Sequence, residues 1–486
     1  MIPGWQIMII IALYFGVLMF ISFLTSKEAD NKTFFTAGKS SPWYVVAFGM
    51  VGVLLSGVTF LSVPGAVAEG KFSYLQIVLG NVVGYWFIAG ILLPLYYRMN
   101  LTSIYEYLGQ RFGRHTRKTG SFFFLLSRTI GASLRLFLVA NLLHLLVAEQ
   151  YGIPFEITVG VTIALVWVYT YRGGIKTVVW TDTLQTSFMI IALLAFLTWL
   201  SGQLGGFSET MSTISEQGLS KTFYFEKGAN NFFINFISGA FLTLVTNGLD
   251  QDIMQKNLTC KNIGDAKKNL ISLSFVFLLV NILILILGAM LTVYAQEKGL
   301  TVSGDDLFTG VAQKAPKFLF ILFLLGVIAA AYSSADSALT SLTTSFCVDF
   351  LNFEKKSVED QEKIRKVVHV VFSIILLIVI IIFSKATNRS VIFLVLKAAG
   401  YTYGPLLGFY AFGMLTKLKV SDRLIPIIGI VCPVVSYLLN YYSKQLLGGY
   451  QIGFEILLIN GALTFLLMFL CNTGKEKPAP DSRDGL

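Results

Sequence analysis

Apolar runs of about twenty residues recur from one end of this chain to the other, and that recurrence limits what it can fold into. A helix rises ~1.5 Å per residue, so about twenty apolar residues cross the ~30 Å hydrocarbon core of a bilayer. Thirteen runs are readable, near 6–24, 43–67, 74–97, 119–148, 154–170, 179–201, 230–254, 269–295, 317–346, 367–383, 391–415, 424–441 and 452–471. Of the 486 residues, 55% are hydrophobic and only 13% charged, whereas soluble domains carry roughly 25% charged residues. The sequence therefore predicts an all-α polytopic membrane protein of about 13 transmembrane helices. The first run lacks a basic start ("MIPGWQ") and a small-residue cleavage site, so it reads as a span and not a signal peptide.

The net charge of +10 is sorted by side. Alternate loops and the C-terminal tail hold 25 Lys and Arg, against 9 in the opposite loops when Lys317 at the mouth of its span is included. Arg128, Arg135 and Lys397 fall inside spans, while Lys256 counts as a loop cation because the seventh run ends at 254. This asymmetry follows the positive-inside rule. It predicts a plasma (cytoplasmic) membrane protein with its N-terminus outside and its C-terminus in the cytoplasm. The basic segments "RFGRHTRK" and "EKKSVEDQEKIRK" then read as topology anchors facing lipid headgroups, not as a nucleic-acid surface. Cys260, Cys347, Cys432 and Cys471 are widely spaced without a CxxC pair, and read as reduced thiols. The tail "GKEKPAPDSRDGL" reads as disordered, and no obligate protein partner is evident.

Topology gives each polar residue a depth. The ninth run descends from outside, which puts Ser333 near the midplane, with Asp336 and Ser337 one turn nearer the cytoplasm. Ser333, Asp336, Ser337 and Thr340 follow i, i+3, i+4, i+7 and make one polar stripe. Asp182, in "VVWTDTLQTSF", falls in the cytoplasmic third of the sixth run, where it reaches the depth of Asp336; a capping role at that helix start is the alternative. An intramembrane carboxylate needs a partner, and hydroxyls, carbonyls and a carboxylate form a hard oxygen shell suited to an alkali ion. For a single Ser, Thr or Gly, bonding back to its own helix or close helix packing is the simpler role.

Two runs are interrupted. Gly52, Gly57 and Pro64 weaken a regular helix in "VGVLLSGVTFLSVPGA", as Asn247 and Gly248 do in "LVTNGLDQD". Breaks at mid-depth free carbonyls for a cation and mark binding sites in transporters. The interrupted runs lie five spans apart, and a unit repeated every five spans is necessarily inverted. This pairing predicts a 5+5 inverted repeat over helices two to eleven.

These segments resemble the sodium:solute symporter family. "SGVTFLSVPGA" (56–66), "LTSIYEYLGQRF" (101–112), "GGIKTVVWTDTLQT" (173–186), "DQDIMQK" (250–256) and "AAAYSSADSALTSLTTSFCVDF" (329–350) resemble five family segments in order. The resemblance implies a leucine-transporter-type fold with one extra helix before the repeats and two after. The implied division is 1–42, N-terminal helix and cytoplasmic loop; 43–201, first repeat; 202–229, extracellular loop; 230–415, second repeat; 416–471, two C-terminal helices; and 472–486, tail. The implied activity is sodium-coupled symport of a small organic solute by alternating access, with Na+ as the co-transported ion. By position, the principal sodium site comprises carbonyls of Gly52, Leu55 and Ala330 with hydroxyls of Ser333 and Ser334. A second sodium site comprises Asp182, Asp336 and Ser337, and Asp336 stands where relatives carry a serine.

The resemblance places the solute near Ser56, Thr59, Asn81, Arg128, Arg135, Asn247 and Lys397. Buried cations are costly at mid-membrane unless compensated. Asp250 and Asp336 are expected to compensate two of the three, and a solute carboxylate the third. That favours an organic anion, a sugar acid such as sialic acid or a monocarboxylate, over a neutral monosaccharide or an amino acid. His144 reads as a packing residue. There is no nucleophile–base constellation, so the chain reads as no enzyme; a sodium-dependent sensor or channel-like protein is the rival class.

Overall fold

The computed structural model describes residues 3–25, 31–226, 228, 230–351, 353, 356–386 and 391–475. Fifteen helices frame the site: α1 (Gly4–Thr25), α2 (Trp43–Leu54), α3 (Gly57–Gly70), α4 (Tyr74–Arg98), α5 (Arg114–Leu143), α6 (Phe155–Tyr171), α7 (Gly174–Gln203), α8 (Phe232–Gly248), α9 (Gln251–Asn257), α10 (Ile263–Glu297), α11 (Lys317–Phe350), α12 (Val358–Ala386), α13 (Val391–Leu415), α14 (Ile425–Tyr441) and α15 (Ile456–Leu470). Among the described residues, seven helices are long and apolar enough to cross a bilayer, and up to nine spans result if each of two bent pairs is one span. The protein is an integral membrane protein built of helices.

Local chemistry sets the helix ends. Pro42, Pro154 and Pro316 precede α2, α6 and α11, where a missing N–H costs nothing. Asn231 accepts the N–H groups of Phe233 and Ile234 at the head of α8, and Asn262 accepts that of Asp265 at the head of α10. Between α6 and α7 the chain turns at Gly174, whose φ of +52° suits glycine.

Both interrupted runs are bent. α2 and the body of α3 meet at 54°, and α8 meets α9 at 72°. The first break lies at Leu55–Ser56, not at Gly52 or Pro64, which sit within α2 and α3. Pro64 is the eighth residue of α3, inside the helix, and supplies no N–H to Phe60 O. Gly52 serves contact instead: a Cβ there would run into the Thr186 hydroxyl of α7.

α4 and α8 pack most intimately, because Gly80 and Gly239 leave no side chain between them. A Cβ on Gly80 would overlap Phe236 O, and one on Gly239 would overlap Ile77 O. At the centre runs α11, in which every residue from Gly326 to Ser345 is buried against α5, α7 and α12. The stretch expected to be a disordered tail begins with a short strand instead. Asn472–Lys475 pairs antiparallel with Leu418–Val420, and residues 476–486 lie outside those described. All four cysteines are unpaired.

Candidate functional site

Burying a charge is expensive unless an opposite charge or hydrogen-bond donors meet it, so the carboxylates inside this bundle show where its elements are locked. Asp182 on α7 has both oxygens occupied: Lys256 Nζ lies 2.6 Å from Oδ2, and Ser333 Oγ donates to Oδ1 at 2.5 Å. Asp252 on α9 accepts from Ser337 Oγ and pairs with the Arg128 guanidinium. Asp250 caps α9 through the N–H groups of Asp252 and Ile253 and accepts the Tyr403 hydroxyl. Three carboxylates thus tie α5, α7, α9, α11 and α13 together.

Asp336 differs. It is fully buried, and Tyr169 Oη of α6 donates to its Oδ2 at 2.8 Å. Its Oδ1 has no hydrogen-bond donor among the described residues, and neither has the Thr340 hydroxyl one turn further along the same stripe.

Beside this lattice lies a cavity of about 160 Å³, lined in part by Asn81, Arg128, Arg135, Asn247, Thr243 and Tyr403. Arg128 is held at its wall by Asp252. Arg135, about two turns further along the same face of α5, is half-buried and makes no ion pair among the described residues. The Asn81 amide lies 3.0 Å from Thr243 Oγ1 and 2.9 Å from Gly239 O, locking it to α8. The Asn247 amide lies 3.4 Å from Thr246 Oγ1.

The residues singled out from sequence divide accordingly. Asn81, Arg128, Arg135 and Asn247 come together around the cavity. Ser56 and Thr59 lie at the α2–α3 break outside its lining, with Thr59 Oγ1 donating to Leu54 O. The Lys397 side chain is outside the described ones. Ser334 Oγ reaches Val53 O at 3.5 Å, so α11 meets the chain beside Gly52 and Leu55, and Ala330 is buried one turn above. The Gly52 N–H donates to Thr186 Oγ1 at 3.1 Å and so ties α2 to α7.

Three expectations need correction. Asp182 lies inside α7, fully buried, and caps no helix. Asp336 makes no ion pair with Arg128 or Arg135; Asp252 pairs with Arg128, while Asp250, which hydrogen-bonds Tyr403, acts on both arginines through its charge, as expected of it. Lys256 is no loop anchor, being only 1% exposed.

Lys256, Asp252 and Tyr169 were not legible as site residues. One signal was present: Asp252 and Lys256 stand four apart, on one face of a helix. His369 bridges Thr170 and Thr343 at 3.0 Å each and holds α6, α11 and α12 together.

Comparison with known proteins fits this architecture. The sequence model of the sodium:solute symporter family matches residues 34–420, and the chain belongs to that family. The sodium/sialic acid symporter NanT of Aliivibrio fischeri is 25% identical over 90% of this chain and 89% of its own. The mouse sodium-coupled monocarboxylate transporter 2 is 25% identical over 82% of this chain and 66% of its own. Among solved structures, a substrate-bound, outward-open Na+-coupled sialic acid symporter superposes with a TM-score of 0.82, at 20% identity, over 97% of each chain.

Proposed function

We propose that this chain is a sodium-coupled symporter that imports a small organic anion by alternating access. The observation that carries the reading is Arg135, a guanidinium that faces the cavity with no protein carboxylate paired to it among the described residues. Arg128 on the same helix has such a partner. A cation at this depth without a contacting anion costs several kcal/mol; Asp250 acts on Arg135 through space and not by contact, and an arriving carboxylate adds two parallel hydrogen bonds. Sialic acid and monocarboxylates, the solutes of the two relatives named above, are acids, whereas another relative is a sodium/myo-inositol cotransporter.

The proposed architecture has thirteen spans: the nine above, three shorter apolar helices (α6, α14 and α15), and α13. Support for an inverted repeat over residues 43–201 and 230–415 comes from the two bends, which open corresponding members of each half. The principal sodium position is the junction of Gly52, Leu55, Ala330, Ser333 and Ser334, supported by the approach of Ser334 to the α2 break. With the N-terminus outside, the end holding Arg117 and Asp349 is cytoplasmic. There Asp349 accepts from Arg117 Nε at 2.8 Å, Ser103 Oγ at 2.8 Å and Ser345 Oγ at 2.9 Å, a tie that holds the inner end shut.

A ligand that binds only the folded state raises the unfolding temperature. Thermal shifts with sialic acid, pyruvate, galactose and proline, each in NaCl and in choline chloride, test the reading. Stabilisation by an acid, in sodium only, is expected; stabilisation by galactose or proline alone would make the solute neutral or zwitterionic.

A further inference from the structure

Lys256 is the charged group this function does not use. It is carried on the seven-residue helix α9, which turns away from α8 at 72° and so stays inside the protein. Its ammonium lies 2.6 Å from Asp182 Oδ2, and both side chains are 1% exposed. The charges that act on it most are those of Asp182, Asp336 and Arg128. The second oxygen of Asp182 is occupied by Ser333.

We propose that Lys256 is a built-in counter-cation at Asp182, filling with a tethered ammonium the position where that carboxylate would otherwise take up a free ion. This rests on the sodium-symport reading and refines where its ions sit. An ammonium and a sodium ion carry the same charge, but the ammonium offers donors only and cannot leave with the solute. Asp182 therefore contributes a fixed neutral pair to the bundle and no ion to the cycle. A second consequence follows for Ser333. Its hydroxyl donates its proton to Asp182, which leaves the oxygen lone pairs facing away from the carboxylate, free for an ion at the α2 break.

The alternative is that Lys256 is helix glue beside a carboxylate that opens to sodium during the cycle. Counting bound 22Na+ per chain on purified protein in nanodiscs separates the two. Lys256→Ala uncovers Asp182 and should bind one sodium more than wild type; Lys256→Arg, which keeps a tethered cation, should bind the wild-type number. Lys256→Met combined with Asp182→Asn removes both charges without stranding either, and should also bind the wild-type number. A count one lower in that double variant, or no gain in a folded Lys256→Ala, would overturn the proposal. If Lys256→Ala fails to fold, the double variant decides alone. Wild type that binds no sodium at all would instead overturn sodium coupling.

Discussion

Arg128 is joined to Asp252 across α5 and α9, in a pair whose side chains are 6% and 0% exposed. That single contact divides two arginines which the sequence presents as equals. Both line the cavity, but Arg128 has a contacting carboxylate and Arg135 has none among the described residues.

Substitution should separate them. Arg135→Lys keeps the charge but loses the planar fork that grips a carboxylate. A charge-assisted hydrogen bond contributes about 1.5–3 kcal/mol, so apparent affinity for an acidic solute should fall roughly ten- to hundredfold. Sodium binding should be unchanged, as uptake kinetics and 22Na+ binding will show.

Arg128→Ala should instead fail before transport is reached. Removing one member of a buried pair strands the other, at about 3–5 kcal/mol. Monodisperse yield should collapse, and the combined Arg128→Met and Asp252→Asn variant should recover much of it. Full yield from Arg128→Ala alone would return this residue to the solute site.

Ser334→Ala should act on sodium alone. Alanine keeps α11 helical, and the lost ligand contributes about 1 kcal/mol. The sodium concentration for half-maximal transport should rise about fivefold, with expression normal. An unchanged sodium dependence would place the ion elsewhere.

The tie at the inner end predicts a conformational bias. Asp349 is held by Arg117, Ser103 and Ser345, and buried Cys347 lies two residues before it. Arg117→Ala should loosen this end and favour the inward-open state. A membrane-impermeant maleimide applied from the cytoplasmic side should then label Cys347 several-fold faster than in wild type. Equal rates would mean that the tie is not a gate.

Much of the frame was legible because membranes impose simple rules. Apolar length located the helices, and Asn247–Gly248 marked the α8–α9 bend. Asp336 was legible as an intramembrane carboxylate in need of a partner, because none of its sequence neighbours offers it a charge. Its partner Tyr169 was not, since an aromatic residue in an apolar span looks like packing until the opposite helix is in view. Lys256 was lost for a different reason. Depth read from sequence assumes that a chain leaving its apolar run leaves the membrane protein too, whereas α9 turns at 72° and runs through the interior. The pairing of Arg128 with Asp252 was hidden likewise, because it joins helices more than a hundred residues apart.

Transport itself gives the most direct test. In proteoliposomes loaded with potassium, an inward sodium gradient should drive uptake of radiolabelled sialic acid, or of pyruvate if the solute is a monocarboxylate. Uptake should rise above the intraliposomal equilibrium level, vanish when choline replaces sodium, and be lost in Arg135→Gln. Accumulation of a labelled acid that is indifferent to the sodium gradient would contradict the account, as would sodium-driven accumulation of a neutral sugar with both acids excluded.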